Sequence, residues 1–403
     1  MPPLIPTLVT ILLVVASIPG ICNYLILLER KLSAWMQDRV GPNRVGPLGL
    51  LQPLADGVKL LLKEEVIPDH VDRLLFLMAP GISVFTALLA FAVVPFGPVD
   101  DPSVPGFLRF IIAPGIDIGL VFIFAIGSLA VYGIVLGGWA SNNKYSALGA
   151  LRASAQVVSY EIPLGMSVLG IALISGSLNL EQIMQQQVAG GILSWNIWFQ
   201  PLAAIMFFTA SLAEANRLPF DLAECEQELV GGWHTEYSAL KWALFFLGEY
   251  THMITISFLT SILFFGGWHF PGIAEPDSAY TGAWIVKLAV LGTKAFLFIW
   301  VIIMLRWTIP RFRFDQLMEL AWRVMIPLSL ANLLMVMFVK HFDASLWWLL
   351  PGSLLLFAAW GAISAALRDA EQRARPGYVR RKPAAPADAH HGHAHGHGHA
   401  SAH

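Results

Sequence analysis

Nine stretches of roughly twenty predominantly apolar residues recur along the chain, at about 4–28, 74–96, 111–139, 156–176, 197–217, 239–266, 281–305, 322–339 and 345–367. Each is about the length a helix needs to cross a hydrocarbon core. Backbone groups in lipid must find their hydrogen bonds within the segment, so the pattern predicts an all-α polytopic membrane protein and excludes long hairpins and sheets. Composition points the same way: of 403 residues 56% are hydrophobic and only 13% charged, about half the charge of a soluble domain. With 25 Lys+Arg against 27 Asp+Glu and a net charge of -2, a nucleic-acid binder is excluded as well. Met1-Pro2-Pro3-Leu4 carries no basic segment and the first charge is Glu29, so the first stretch reads as a retained helix rather than a cleaved signal.

Lys and Arg set orientation. Twenty-one of the 25 fall in or at the edges of the connections after the first, third, fifth and seventh stretches, or in the tail. That asymmetry predicts an external N-terminus and a cytoplasmic C-terminus. The long loops rich in Gly, Pro and acids then lie on the cytoplasmic face, which becomes the working surface. Residues 1–367 read as one membrane domain, and 368–403 as a basic, His-rich, disordered cytoplasmic tail to which no role is assigned.

Cys22 and Cys225 stand 203 positions apart with no C-x-x-C pair. No metal site and no iron–sulfur cluster is expected from this chain alone. Between the first two spans, 48–65 places Gln52, Asp56, Lys59 and Lys63 on one face and Leu51, Leu54, Val58 and Leu62 on the other. That is an amphipathic helix lying in the membrane interface, either a peripheral anchor or the wall of a doorway for a lipid-soluble substrate.

Ionisable residues inside spans are costly to insert and are functional candidates. Glu249 is the strongest, because it lies about 15 Å along a span beginning at 239. Lys294 is deep enough to pair with such a carboxylate, whereas Lys287 reads as snorkelling outward and Asp117 as a satisfied polar residue near the outer end. Glu161 is expected about a turn inside its span, with Pro163 in the first turn. Glu214 precedes Arg217 by three, a spacing that suits an ion pair on one helix face. The loop 218–238 is the densest cluster: Asp221, Glu224, Glu226 and Glu228 are four carboxylates in eight residues. Mutual repulsion of that kind raises some pKa values and suits proton exchange. Phe220, Leu222, Leu229, Val230 and Trp233 interleave the charges and point to a packed loop.

Several motifs carry a family resemblance. Glu29-Arg30-Lys31, Arg39-Val40-Gly41-Pro42-Asn43-Arg44, Ser159-Tyr160-Glu161-Ile162-Pro163, Glu214-Ala215-Asn216-Arg217-Leu218-Pro219-Phe220-Asp221, Glu249-Tyr250 and Pro310-Arg311-Phe312-Arg313-Phe314-Asp315 resemble, in order, the H membrane subunit (subunit 1 in mitochondria) of proton-pumping NADH:quinone oxidoreductase, respiratory complex I. The resemblance runs from about 20 to 340. It implies an eight-helix core, to which the ninth stretch is an addition. It also implies the heel of a membrane arm in a bacterial inner membrane, where the chain meets the peripheral-arm quinone-site subunits and the small and antiporter-like membrane subunits. Quinone is then the substrate, while FMN and iron–sulfur clusters belong to partner subunits.

The same resemblance places Arg30, Arg39, Asp56 and Phe220 along a quinone tunnel. It puts Arg311, Arg313 and Asp315 near the tunnel's cytoplasmic surface and counts Arg217 with this group. Glu161, Glu214, Asp221, Glu224, Glu226, Glu228 and Glu249 become a proton-coupling path. Relatives among membrane-bound hydrogenases and deazaflavin-dependent dehydrogenases form the alternative, against which the basic quinone-side motif and the full acidic loop argue. An independent ion transporter predicts short cytoplasmic loops and an internal repeat, neither of which is present. A purely structural anchor does not account for the buried carboxylates.

Overall fold

The computed structural model describes residues 4–99, 104–106, 108–223, 226–276 and 282–374, with backbone only at 226–227 and 367–374. Among these residues there is no strand, only an isolated bridge between Phe270 and Ala274. In chain order the helices are α1 (Leu4–Met36), α2 (Gln52–Leu62), α3 (Arg73–Leu89), α4 (Gly119–Ala140), α5 (Lys144–Ser175), α6 (Leu180–Ala189) and α7 (Asn196–Phe199). They continue with α8 (Pro201–Glu214), α9 (Glu226–Leu229), α10 (Ala239–Phe264), α11 (Ala283–Thr308), α12 (Phe314–Glu319), α13 (Ile326–His341) and α14 (Leu349–Ala374). The all-α reading holds.

Seven helical segments among the described residues are long and apolar enough to cross a membrane. Two of the nine expected stretches fall outside that group. The fifth is broken at Gln200, between α7 and α8, leaving a 14-residue apolar helix. The sixth, α10, has 26 residues but carries Glu249-Tyr250-Thr251-His252 in its middle. The interfacial helix forms over 52–62, shorter than the expected 48–65, because the residues before it turn through left-handed Leu48 and Gly49.

By contacts the chain divides into residues 1–357 and 358–403; in the second part, 358–374 are the last turns of α14. Within the first, α3, α4, α5, α8, α10 and α13 pack on one another. One core cluster joins Phe76 and Ala79 of α3, Ala150 and Ala153 of α5, and Phe245 of α10 to Trp233 and Tyr237 from the loop before α10. Tyr237 stacks on Phe76 at 4.0 Å, and Trp233 meets Phe245 edge-on at 4.4 Å. The part of the 218–238 loop that leads into α10 is therefore held by aromatic anchors. Phe220, Leu222 and Leu229 are also buried, whereas Val230 is exposed.

Helix α5 begins at Lys144, capped by the Asn143 side chain, so Pro163 lies deep within it and not in its first turn as expected. The Asn143 cap starts the helix about three turns earlier than apolarity alone marks. Gly149 faces the backbone of Gly232 and Trp233; a Cβ there would sit 2.6 Å from the Trp233 nitrogen. Gly149→Ala should push the loop off α5 and destabilise the protein by about 1–3 kcal/mol, the cost of overpacking. Less assembled protein and a lower inactivation temperature are the expected readings, and unchanged values count against this packing.

Candidate functional site

The site is built where α1, α10, α11 and the turn after α8 converge. Helix α8 ends at Glu214, and Asn216 takes a left-handed conformation (φ 48°) that a short polar side chain tolerates. The Arg217 N–H returns to Leu212 O at 3.2 Å, closing the helix end. Buried Gln156 of α5 secures this turn by donating to Ala213 O, Asn216 Oδ1 and Phe220 O. The turn swings Arg217 away from the face that carries Glu214, so the expected pair between them does not form.

Arg217 instead meets Glu29 of α1 at 3.4 Å. Glu29 is 5% exposed. It also accepts a hydrogen bond from the Tyr250 hydroxyl at 2.5 Å and pairs with Arg306 in the last turn of α11. The Arg217 guanidinium lies 4.0 Å over the Tyr250 ring, a cation–π contact that adds to the ion pair. One carboxylate thus serves two guanidiniums and a phenol. Buried carboxylates persist when they are paired and hydrogen-bonded in this way.

Two cavities adjoin this cluster, and a third adjoins one of them. The largest, about 800 Å³, lies between α1, α2 and α10 and is lined by Arg30, Arg39, Asp56 and Glu29 among others. Arg30 pairs with Asp56 at 2.6 Å, and Lys59 adds a second contact at 3.2 Å. Partial burial pushes the Asp56 carboxyl up, but the bonds from Lys59 and Gln52 and the charges of Lys59 and Arg30 outweigh it and hold it below the ordinary carboxylate range. The second cavity, about 520 Å³, is lined by Arg217, Asp221, Glu249 and Arg311, with Asp221 and Arg311 3.5 Å apart. The third, about 30 Å³, is lined by Glu214, Glu249, His252 and Ser83. Glu29, Trp242, Phe246 and Arg306 border both the first and the second. Asn216 and Glu249 border both the second and the third.

Of the residues expected to carry function, these cavities gather Arg30, Arg39, Asp56, Arg217, Asp221, Arg311, Glu214 and Glu249. Glu161 lines none of the three; the hydroxyl of Ser128 on α4, next to Gly127 of the third cavity, donates to its carboxylate. The Glu214 carboxylate lies against Gly127, the preceding residue of that helix. Phe220 is buried and stacked on Phe312 at 5.7 Å. Glu228 is half-exposed and pairs with Arg152 at 2.6 Å. Arg313 and Asp315 lie exposed at the start of α12 and line none of the three cavities. Glu224 and the side chain of Glu226 fall outside the described residues, as do Cys225 and the tail from 375 onward.

Two lysines depart from expectation. Lys294 does not pair with a carboxylate: its ammonium donates to Phe265 O, Gly267 O and His269 O at 2.6–2.9 Å, beyond the C-terminus of α10. Free carbonyls at a helix end are strong acceptors for a cation. Lys287 does not snorkel; it is buried, 4.8 Å over the Trp268 ring.

Sequence reasoning missed Glu29, Arg306 and Tyr250 as site residues. The available signal was Glu29 itself, the first charge after 28 residues without one.

Comparison with known proteins gives a consistent result. The family model described as NADH dehydrogenase matches residues 8–337. The H subunit of the NADH-quinone oxidoreductase of Flavobacterium johnsoniae is 47% identical over 308 residues, covering 76% of this chain and 87% of that protein. An H subunit of the same enzyme from Koribacter versatilis is 45% identical over 343 residues, 82% of this chain and 96% of that protein. The H subunit from Leptospira biflexa is 48% identical over 320 residues, covering 76% and 87%.

Proposed function

The chain belongs to the H-subunit family of NADH-quinone oxidoreductase and is an integral membrane subunit of complex I; from that premise we propose that it guides quinone through one cavity and relays protons through the next two. The observation that carries this reading is the sharing of walls. A hydrophobic chain entering from lipid meets Arg30 and Asp56 beside α2, and its headgroup end approaches Glu29 and Arg306. Those two residues also face the acidic cavity, so a change of charge on the quinone side is felt directly by the groups lining the next compartment. Coulomb interaction across such short, poorly solvated distances is strong enough to redistribute protons. Glu249 then passes the change to Glu214, with Glu161 beside it.

Asp221, Glu224, Glu226 and Glu228 supply protons to this path from the cytoplasmic side, in the orientation set by the basic loops. Arg311, Arg313 and Asp315 form the rim that faces the peripheral arm, and Phe220 braces that rim through Phe312. No role is assigned to the tail that follows α14. Redox chemistry belongs to FMN and iron–sulfur clusters in partner subunits, with no cofactor assigned to this chain. The membrane is the bacterial inner membrane, and the antiporter-like and small membrane subunits receive the protons.

Photolabelling tests the tunnel. An azido-quinone in native membranes should label peptides of α1 and α2, with native quinone competing. Labelling confined to other helices overturns the assignment. Asp56→Asn should raise KM for long-tailed quinone several-fold with a smaller change in kcat, since it removes a charge that orients Arg30 without touching the proton path. The depressed Asp56 pKa keeps the Arg30 pair intact above the ordinary carboxylate range. The pair and its small contribution are lost only as pH falls through the lowered value.

A further inference from the structure

One titratable group in the smallest cavity has no part in that quinone and proton route. His252 lies one turn beyond Glu249 on α10, about 20 Å from the start of the helix. Phe245, Gly248, Glu249 and His252 follow the i, i+3, i+4, i+7 spacing, so they form one face, and all four line the 30 Å³ cavity. Across from them stand Ser83 of α3, Gly127 of α4 and Glu214 of α8. A void needs about 10–15 Å³ to hold a water molecule and polar partners to keep it. This one has room for one or two, with two carboxylates, a hydroxyl and an imidazole around it. An imidazole in the middle of a helix within the membrane is costly unless it bonds to such a partner.

We propose that His252 is a proton-relay residue that carries the carboxylate path across this cavity to the side of Ser83. The inference rests on the proposed proton path and adds a member to it. A carboxyl of Glu249 or Glu214 gives its proton to the shared water, which passes one to a nitrogen of the imidazole. The imidazolium releases a proton from its other nitrogen to the cavity water beside Ser83. One proton enters and one leaves, the ring ends neutral, and a flip of the ring restores the starting tautomer. Imidazole suits this task because each nitrogen can both accept and donate. Glutamine in its place keeps the size and the hydrogen bonding but cannot take up a proton.

The test uses the intact complex in native membranes. His252→Gln should lower NADH:quinone turnover about a hundredfold, the low end of what a lost proton-transfer group costs. It should leave NADH:ferricyanide activity, which reports assembled flavin subunits, unchanged. His252→Glu, which restores a titratable group of different shape, should recover a large part of the turnover and its solvent deuterium isotope effect. A packing role predicts the reverse order, with Gln tolerated and Glu not. Wild-type turnover and pumping in His252→Gln overturn the proposal. Glu249→Gln run in parallel separates the two levels: if it too is normal, the proton path itself fails, and if only His252→Gln is normal, only this extension fails. Should neither His252 variant assemble, wild-type complex labelled with ¹³C-histidine decides the matter. An infrared difference spectrum on quinone reduction should then show a shifted imidazole band, and its absence overturns the relay.

Discussion

In the assembled complex, Glu214→Gln lowers NADH:quinone turnover and proton pumping by about 10²-fold or more, the loss that accompanies removal of a positioned proton-transfer group. The substitution keeps the volume of the side chain that fills the space beside Gly127. The Arg217 it was expected to pair with is engaged elsewhere. Loss of the carboxyl therefore strands no buried cation, and the complex should assemble at normal levels. Inverted vesicles with NADH:ferricyanide reduction as the assembly control provide the measurement. Normal turnover with normal pumping would remove Glu214 from the path. Reduced turnover together with reduced flavin content would point to a structural role.

Glu29→Ala is expected to damage the fold of this chain. Arg217 has a side chain only 13% exposed, and removing its carboxylate partner leaves a buried guanidinium with its ion pair broken. Breaking one side of such a pair costs about 3–5 kcal/mol, a large part of the stability of an ordinary domain. The expected result is little assembled complex and a markedly lower inactivation temperature. Glu29→Gln keeps the acceptor for the Tyr250 hydroxyl and should assemble better, yet lose most quinone turnover. Arg217, facing the second cavity, and Arg306, facing the first and second, would then have lost their neutralising charge. Full activity in Glu29→Gln would show that the charge on this residue carries no signal.

Much of the architecture was legible because apolar length is a one-dimensional property. A run of twenty apolar residues announces a helix wherever its neighbours lie. Details set by caps and breaks were less visible. Asn143 extends α5 well before its apolar part and leaves Pro163 in the interior, and a break at Gln200 shortens the fifth stretch. Partners were the least legible, because sequence spacing reports pairing only while a helix continues. Glu214 and Arg217 have an ideal spacing, but the left-handed residue between them ends the helix. The true partner of Arg217 stands 188 positions away on α1. Lys294 illustrates the same limit, since its acceptors are main-chain oxygens that no side-chain pattern reveals. The family resemblance supplied the tunnel and path residues; the geometry adds that most of them fall around three adjoining spaces.

Those shared walls also govern how variants of this protein combine. Glu249 faces the second and third compartments, and Glu29 and Arg306 face the first and second, so each answers to two chemical environments at once. Effects of residues that share a partner or a void are not additive. A second substitution across the same wall can therefore mask or rescue the first. Scoring changes one at a time would misjudge such positions. The unit on which such variation acts is the pair of residues across a wall, and genetic epistasis is the trace it should leave.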